Sequence, residues 1–376
     1  MTRHPAMWRP WRALWHTLQT RAAACAMLGV AAVAIASAAG RAADSAVKQP
    51  SPSDVASAPS AKEASPESPK CCKEFRVRPQ DQVWVVSTRR VGCPSGSMTE
   101  PAWQVWRYEK AMWQPATATE FYASDSADLV TPFYIHGNRI DHPQACSDGL
   151  SVYFQLVGKL DDEPPARFVI WSWPSSQIKG PLNDVRTKAA RSDVDAYYLA
   201  RFVAGMKPEV RVGLVGYSFG ARIASGALHL IGGGSLLGQT IETTPRPQIR
   251  VALWAAAEHN YWYLPGNYHD RAIATGDAWF ITINCCDPVL SRYRFLDPCG
   301  DPVAVGYAGI YGRNLLPADV NERIEEVNVS NIVGGTHDKD AYLYSLYIQT
   351  QTRAYVLWHE LAEKKAGETP ALAAAD

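Results

Sequence analysis

A serine between two glycines is the clearest sign of chemistry in this sequence. Ser218 lies in the stretch Gly216-Tyr217-Ser218-Phe219-Gly220, after an apolar run at 210–215 and before a helix-forming run that starts at residue 221. A serine on a tight turn between strand and helix presents its hydroxyl above the sheet, and small neighbours are needed to avoid collisions. The pattern predicts a nucleophile. The alternative is a glycine-rich turn that only packs helix against strand.

A serine hydroxyl becomes an effective nucleophile when an imidazole accepts its proton and a carboxylate orients that imidazole. We expect Asp287 to be the carboxylate, because it follows the apolar run 278–284 and the carboxyl ends of parallel strands carry catalytic groups. The alternative is an aspartate that begins a turn before a proline. The weaker candidates by position are Asp277, Asp297 and Asp301.

The expected base is His337, which follows the run 324–332 and two glycines that let the loop bend toward the site. The chain order serine, aspartate, histidine is the one known for nucleophiles on this type of turn. Three other histidines fall in polar loops and remain alternatives: His142, His259 and His269.

Acyl transfer also needs hydrogen-bond donors for the oxyanion that develops on the carbonyl. The backbone amide of Phe219, directly after the nucleophile, is one expected donor. The second is expected from the loop after the run 130–135, where the amide of Asn138 is favoured and Gly137 permits close approach. His136 is expected to brace this loop. The alternative is an ordinary turn between strand and helix.

One further segment is informative, Phe168-Val-Ile-Trp-Ser-Trp-Pro174-Ser. Together with the run 130–135 and the His136-Gly137-Asn138 that follows it, the serine turn, Asp287 and His337, this segment resembles the α/β-hydrolase superfamily. The Ser-Trp-Pro-Ser segment is similar to a poorly characterised bacterial hydrolase family of unknown function. The resemblance covers residues 82–361. It implies an eight-stranded, mostly parallel sheet, a triad of Ser218, Asp287 and His337, and no cofactor. Tyr217 departs from the histidine that precedes the nucleophile in many lipases.

The wider pattern is an alternation of strands and helices, which predicts an α/β fold with a mostly parallel central sheet flanked by helices. Two runs, 82–88 and 102–107, suggest an antiparallel hairpin at its start. The expected later strands are 130–135, 166–173, 210–215, 249–254, 278–284 and 324–332. The expected helices are 182–205, 221–231 and a closing helix at 341–361.

Several aromatic residues fall near the predicted strand ends, and a minority of them are expected to contact substrate. The candidates are Tyr217, Trp173 and Trp262. The segment 259–269, rich in tyrosine and tryptophan, is interpreted as a lid over an apolar substrate.

The two ends of the chain have compositions unlike the rest. Residues 1–43 place arginines before an uncharged run at 22–39 that ends in small residues, which predicts a signal peptide or an N-terminal membrane anchor. Residues 44–70 are rich in Ala, Ser and Pro and are interpreted as a disordered linker. A single hydrolase domain is expected at 71–365 and a flexible tail at 366–376.

The charges balance, with 37 basic and 37 acidic side chains, so nothing favours a nucleic-acid partner. The cysteine and histidine spacings do not fit a zinc site, so no metal is predicted. Of the eight cysteines we expect one to three disulfides, for example Cys71 or Cys72 with Cys93, and Cys286 with Cys299. The sequence thus favours a serine hydrolase that acts on a small or lipid-like ester and is exported to the periplasm, the cell envelope or the medium, either free or anchored by its N-terminal segment. The alternatives are an acyltransferase or amidase with the same triad, or a non-catalytic binding protein of the cell envelope.

Overall fold

The computed structural model describes residues 76–94, 101–242, 245–296 and 301–361, which form a mixed α/β structure. The strands, in chain order, are β1 (Gln82–Ser87), β2 (Gln104–Glu109), β3 (Met112–Ala116), β4 (Val130–Ile135), β5 (Arg167–Ser172), β6 (Arg211–Tyr217), β7 (Gln248–Trp254), β8 (Ala278–Ile283) and β9 (Ile324–Asn328). The segments predicted as leader, linker and tail, at 1–43, 44–70 and 366–376, lie outside the described residues.

These strands form one nine-stranded sheet in the order β3-β2-β1-β5-β4-β6-β7-β8-β9. In this spatial order, every pair of neighbouring strands between β1 and β9 is parallel. Strand β2 pairs antiparallel with both β1 and β3. Every residue of β4 and β5 is buried, as expected for strands covered on both faces. The prediction of a mostly parallel sheet in an α/β fold is therefore confirmed.

The sheet has one strand more than the expected eight. Strand β3 was not predicted, because its side chains are largely exposed and it contains Pro115, which is unfavourable inside a strand.

Helices flank the sheet. They are α1 (Ala118–Ala123), α2 (His142–Tyr153), α3 (Pro181–Ala204), α4 (Phe219–Ile231), α5 (Ala272–Thr275), α6 (Val305–Ala308), α7 (Ala318–Asn321), α8 (Ser330–Val333), α9 (Lys339–Leu343) and α10 (Leu346–Val356). A π-helical turn, Phe154–Gly158, extends α2, and two 3₁₀ turns occur at Leu290–Phe295 and Arg313–Leu315. In the part of the chain that the structure describes, no helix has both the length and the apolarity needed to cross a bilayer.

The prediction of one closing helix at 341–361 was wrong. Two short helices, α9 and α10, occupy this region, and each has its own N-terminal cap. Asp338 accepts a hydrogen bond from the amide of Asp340, and Ser345 accepts one from the amide of Ile348. Because a capping side chain satisfies amides that would otherwise lack partners, Ser345 starts a new helix inside the apolar pattern.

The chain reverses its direction of travel across the sheet at β4. Strand β5 lies on one side of β4, and strands β6 to β9 extend on the other. Ile135, at the end of β4, is paired with Gly216, near the end of β6. In open parallel sheets, ligands bind outside the carboxyl ends of the strands at such a reversal. The loops after β4 and β6 are therefore adjacent at this edge.

Helix α4, which begins at this edge, is buried along its whole length. All thirteen of its residues are buried, and it packs against α3. Each buried Leu or Ile side chain contributes about 1.5–3 kcal/mol. The turn that begins α4 is therefore fixed to the core of the protein.

Candidate active site

The turn that carries Ser218 is strained and held by main-chain contacts. Ser218 has φ 54° and ψ −118°, a conformation that residues other than glycine rarely adopt. Its amide donates to the carbonyl of Trp254 at 3.0 Å, and its carbonyl accepts from the amide of Ala257 at 3.2 Å. The end of β7 thus fixes the strained turn from both sides.

The two flanking glycines are explained by close approach. A Cβ atom on Gly220 would collide with the carbonyl oxygen of Ile135 at the end of β4, and one on Gly216 would lie 2.7 Å from the Cα of Ala221. The turn can therefore form only with glycine at both positions, as expected from the sequence.

The structure brings Ser218, His337 and Asp287 together. The Nε2 atom of His337 lies 3.0 Å from Ser218 Oγ, and its Nδ1 atom lies 2.6 Å from Asp287 Oδ2. An ionised carboxylate only accepts hydrogen bonds, so Nδ1 carries the proton and Nε2 is left to accept from the serine hydroxyl. This tautomer is the one that a general base for Ser218 requires.

Asp287 is fully buried, and both of its carboxylate oxygens have partners. Oδ1 accepts hydrogen bonds from the amides of Val289 and Leu290 at 2.8 and 2.9 Å. Oδ2 therefore faces His337. The residues after Pro288 thus hold the carboxylate in the orientation that the imidazole needs.

The loop that carries His337 is held in place by two side chains, Asn284 and Tyr217. The sequence did not suggest this role for either of them. Asn284, at the end of β8, donates through Nδ2 to the carbonyls of Gly334 at 2.9 Å and Thr336 at 3.3 Å. The hydroxyl of Tyr217 donates to the carbonyl of His337 itself. Asn284 directly precedes the adjacent pair Cys285-Cys286 in the sequence, and no local pattern marks it.

The loop after β4 lies against the nucleophile. A Cβ atom on Gly137 would be 3.2 Å from the Cβ of Ser218. His136 Nδ1 is 2.9 Å from the carbonyl oxygen of Gly137, and Arg89 Nη2 is 3.4 Å from His136 Nε2. Because arginine can only donate, Nδ1 carries the imidazole proton and donates to Gly137. The amide of Asn138 then points the opposite way in this trans peptide.

The side chain of Asn138 is bound to the buried carboxylate of Asp184 on α3. Asn138 Nδ2 donates to Asp184 Oδ2 at 3.0 Å, and Arg139 Nε donates to the same oxygen at 2.9 Å. Burial opposes ionisation of Asp184, but the hydrogen bonds from Arg139, the Ile178 amide and Asn138 outweigh it and hold its pKa below the usual range. The carboxylate thus anchors the loop.

His136 is buried and remains neutral. Burial lowers its pKa to about 3, although the hydrogen bond to Gly137 opposes the shift. The ring of Trp173 stacks on it, and Trp173 Nε1 donates to the His136 carbonyl at 2.7 Å. His136 and Trp173 therefore support the loop.

The alternative histidines have other partners. His142 Nδ1 lies 3.0 Å from Ser172 Oγ, His259 Nδ1 lies 3.0 Å from the Tyr293 hydroxyl, and His269 Nδ1 lies 2.8 Å from Ser225 Oγ.

Two of the three aromatic candidates for substrate contact are buried against protein. Trp173 is fully buried, and Trp262 is 6% exposed. Trp262 stacks on His259 at 4.3 Å between ring centroids, and the guanidinium of Arg222 lies 4.5 Å above its ring. Tyr217 is half-buried and contacts the loop that carries His337.

The segment interpreted as a lid packs into the core at both ends. Tyr263 and His269 are fully buried. The Tyr263 hydroxyl donates to Glu258 Oε1 at 2.7 Å, and the Tyr268 hydroxyl donates to Asp193 Oδ2 at 2.8 Å. The exposed residues of the segment are Pro265, Gly266 and Tyr268.

Four cysteines of the described residues carry free thiols: Cys93, Cys146, Cys285 and Cys286. The partners expected for Cys93 and Cys286 in disulfides, namely Cys71, Cys72 and Cys299, lie outside the described residues. Cys146 is buried in α2, where burial raises the pKa of its thiol to about 11.

A hydroxyl, an imidazole and a carboxylate in hydrogen-bond contact form a set of groups suited to acyl transfer. No protein-family model matches the chain, and no curated protein matches it either.

Proposed function

We propose that this chain is an exported serine hydrolase of the α/β-hydrolase type that cleaves carboxylic esters through an acyl-enzyme on Ser218. The observation that carries the proposal is the continuous contact from Asp287 through His337 to Ser218. His337 is 50 positions from Asp287 and 119 positions from Ser218 in the chain, and its imidazole still lies within hydrogen-bond distance of both side chains. A chance packing arrangement would not be expected to combine this contact with a strained serine.

In the first step, Ser218 Oγ attacks the ester carbonyl as its proton passes to His337 Nε2. The carbonyl π electrons move to the oxygen, and the resulting oxyanion accepts hydrogen bonds from the amides of Phe219 and Asn138. The carbon–oxygen bond to the alcohol then breaks, and His337 gives its proton to the departing alkoxide. Asp287 stabilises the imidazolium without taking its proton.

In the second step, water attacks the acyl-enzyme and gives its proton to His337. The carbon–oxygen bond to Ser218 breaks, and the serine recovers its proton from the imidazole. The acid is released and the site returns to its first state. No cofactor takes part in this scheme, because every proton is handled by His337.

Further support comes from where each group stands on the fold. Ser218 follows β6, Asp287 follows β8 and His337 follows β9, and the loop of Asn138 follows β4. All four segments leave the carboxyl edge of the parallel part of one sheet, either from β4, where the chain order reverses, or from the strands on the β6 side of it. The export part of the proposal rests on the arginines and the apolar run of residues 1–43.

The test is hydrolysis of p-nitrophenyl esters of increasing acyl length by the full-length chain. We expect turnover in the wild type, and its loss in both Ser218→Ala and His337→Ala. Ser147→Ala, which changes an exposed serine on α2, is the matched control and is expected to behave as the wild type. A preference for short or long acyl chains would separate a small ester from a lipid-like one.

A fluorophosphonate probe provides the second readout, since it labels an activated serine without turnover. Labelling of the wild type and not of Ser218→Ala would support the proposal. Absence of both turnover and labelling would favour a binding protein that keeps the fold. Transfer of the acyl group to an alcohol or amine in preference to water would favour an acyltransferase.

A further inference from the structure

The hydroxyl of Tyr217 binds the main chain of the loop that carries His337. It donates a hydrogen bond to the carbonyl of His337 itself. The phenol thus satisfies a backbone acceptor in the turn that leads from His337 into α9. Because Tyr217 directly precedes Ser218, this contact joins the nucleophile turn to the loop of the expected base.

The ring of Tyr217 fills the space between two loops. A Cβ atom on Gly137 would lie 2.9 Å from Tyr217 Cε1 and 3.0 Å from Cδ1. On the other side, the ring centroid lies 5.6 Å from that of the His337 imidazole, at an interplanar angle of 34°. The side chain therefore contacts the loop of the expected oxyanion donor and the base.

The loop that carries His337 has few other anchors. Gly334 has φ 73°, and Gly335 has no side chain to pack. Asn284 holds the loop at the carbonyls of Gly334 and Thr336. Tyr217 holds it at the carbonyl of His337, the point closest to the imidazole.

The phenol of Tyr217 carries its proton at neutral pH. Burial raises the pKa of Tyr217 far above its ordinary value, and the nearby Tyr342, Asp338 and Asp287 add to the shift. The hydroxyl can therefore act as a constant donor to the His337 carbonyl.

We infer that Tyr217 is a positioning residue, whose hydroxyl fixes the main chain of His337 so that Nε2 stays within reach of Ser218. Its ring separates the base from the loop of Gly137 and Asn138. This inference rests on the proposed function of Ser218 and His337. It gives Tyr217 a role different from the substrate contact that the sequence suggested.

The experiment compares Tyr217→Phe with Tyr355→Phe in the full-length chain. Tyr355 is a buried tyrosine of α10 whose hydroxyl donates to Glu325 Oε2 at 2.7 Å, so the control also loses one buried tyrosyl hydrogen bond. We expect Tyr217→Phe to lower kcat and the rate of phosphonylation by diisopropyl fluorophosphate about 10- to 100-fold. KM should stay within about twofold for every acyl length, because ground-state binding is not changed. Tyr355→Phe should change neither rate.

Hydrogen–deuterium exchange of the peptide that contains 334–340 gives a readout that needs no turnover. We expect faster exchange there in Tyr217→Phe than in Tyr355→Phe. The inference is overturned if exchange is unchanged, even where both forms are inactive. It is also overturned if Tyr217→Phe alters KM or acyl preference while the phosphonylation rate stays constant, which would indicate substrate contact.

Failure of the proposed function looks different. In that case the wild type would show neither turnover nor phosphonylation, while the exchange of 334–340 would still respond to Tyr217→Phe.

Discussion

His337 Nδ1 lies 2.6 Å from Asp287 Oδ2, and two backbone amides occupy the other oxygen of the same carboxylate. The amides of Val289 and Leu290 fix the plane of the carboxylate, and the carboxylate in turn fixes the imidazole. Asp287 therefore sets which nitrogen of His337 carries the proton.

We predict that Asp287→Asn lowers kcat by about 10⁴-fold with little loss of folding. Asparagine keeps an oxygen for the two amides but places an NH₂ group against His337. The imidazole then protonates at Nε2 and no longer accepts from Ser218. Steady-state kinetics with a p-nitrophenyl ester would measure the change. Asp277→Asn, at the amino end of β8, is the control, and more than a tenth of wild-type activity in Asp287→Asn would contradict the prediction.

We predict that Gly137→Ala lowers kcat about 10²- to 10³-fold, the usual effect of losing an oxyanion donor. The added methyl group would lie 2.9 Å from the Tyr217 ring and 3.2 Å from Ser218 Cβ, so the loop must move. Gly92→Ala is the matched control, because a Cβ there has no neighbour within 4 Å. Equal kinetics for the two variants would show that the loop plays no part in the reaction.

We predict that Trp262→Ala destabilises the protein by about 3–5 kcal/mol without changing acyl-chain preference. The change removes a buried ring that stacks on His259 and lies below Arg222. Urea unfolding and the ester series would measure both effects, beside Pro265→Ala as an exposed control on the same segment. Preserved stability with an altered preference would instead support the lid interpretation.

We predict that acid destabilises the fold partly through His229. Burial, together with the nearby His269, lowers the pKa of His229 to about 4, whereas the unfolded chain titrates near the ordinary value of 6.5. Between pH 4 and pH 6.5 the imidazole of His229 is protonated in the unfolded chain but neutral in the folded protein. The free energy of unfolding therefore falls as the pH drops from 6.5 to 4. The loss amounts to about 3 kcal/mol and is absent above pH 6.5.

Urea unfolding at several pH values would measure this dependence in the wild type and in His229→Gln, which does not titrate. The slope between pH 4 and 6.5 should be smaller in the variant. Identical slopes would assign the acid sensitivity to other groups.

The sequence predicted those parts of the fold that depend on local pattern. Continuous apolar runs marked the buried strands, and the run 130–135 coincides with β4, because strands covered on both faces contain few polar residues. Strand β3 lacks such a run, and the closing helix was interrupted by Ser345, whose capping role competes with an apolar period that continues past it.

The residues expected in the triad could be chosen from their positions after strands, since parallel strands place their carboxyl ends at one edge. The residues that hold them could not. Asn284 and Tyr217 act on the His337 loop across long sequence distances, and the hydrogen bond from Tyr217 spans 120 positions. Such contacts depend on tertiary packing, which leaves no periodic trace in the chain.

The two outermost strands of the sheet are also its shortest. Strands β3 and β9 have five residues each, against six or seven in the others. Pro115 in β3 has no amide hydrogen to offer a neighbouring chain, and Glu325 and Glu326 place charge along β9. Short, proline-containing or charged edges are poor templates for strand addition. The wide, largely apolar sheet therefore has edges that do not favour pairing with strands of other copies of the protein, which limits aggregation.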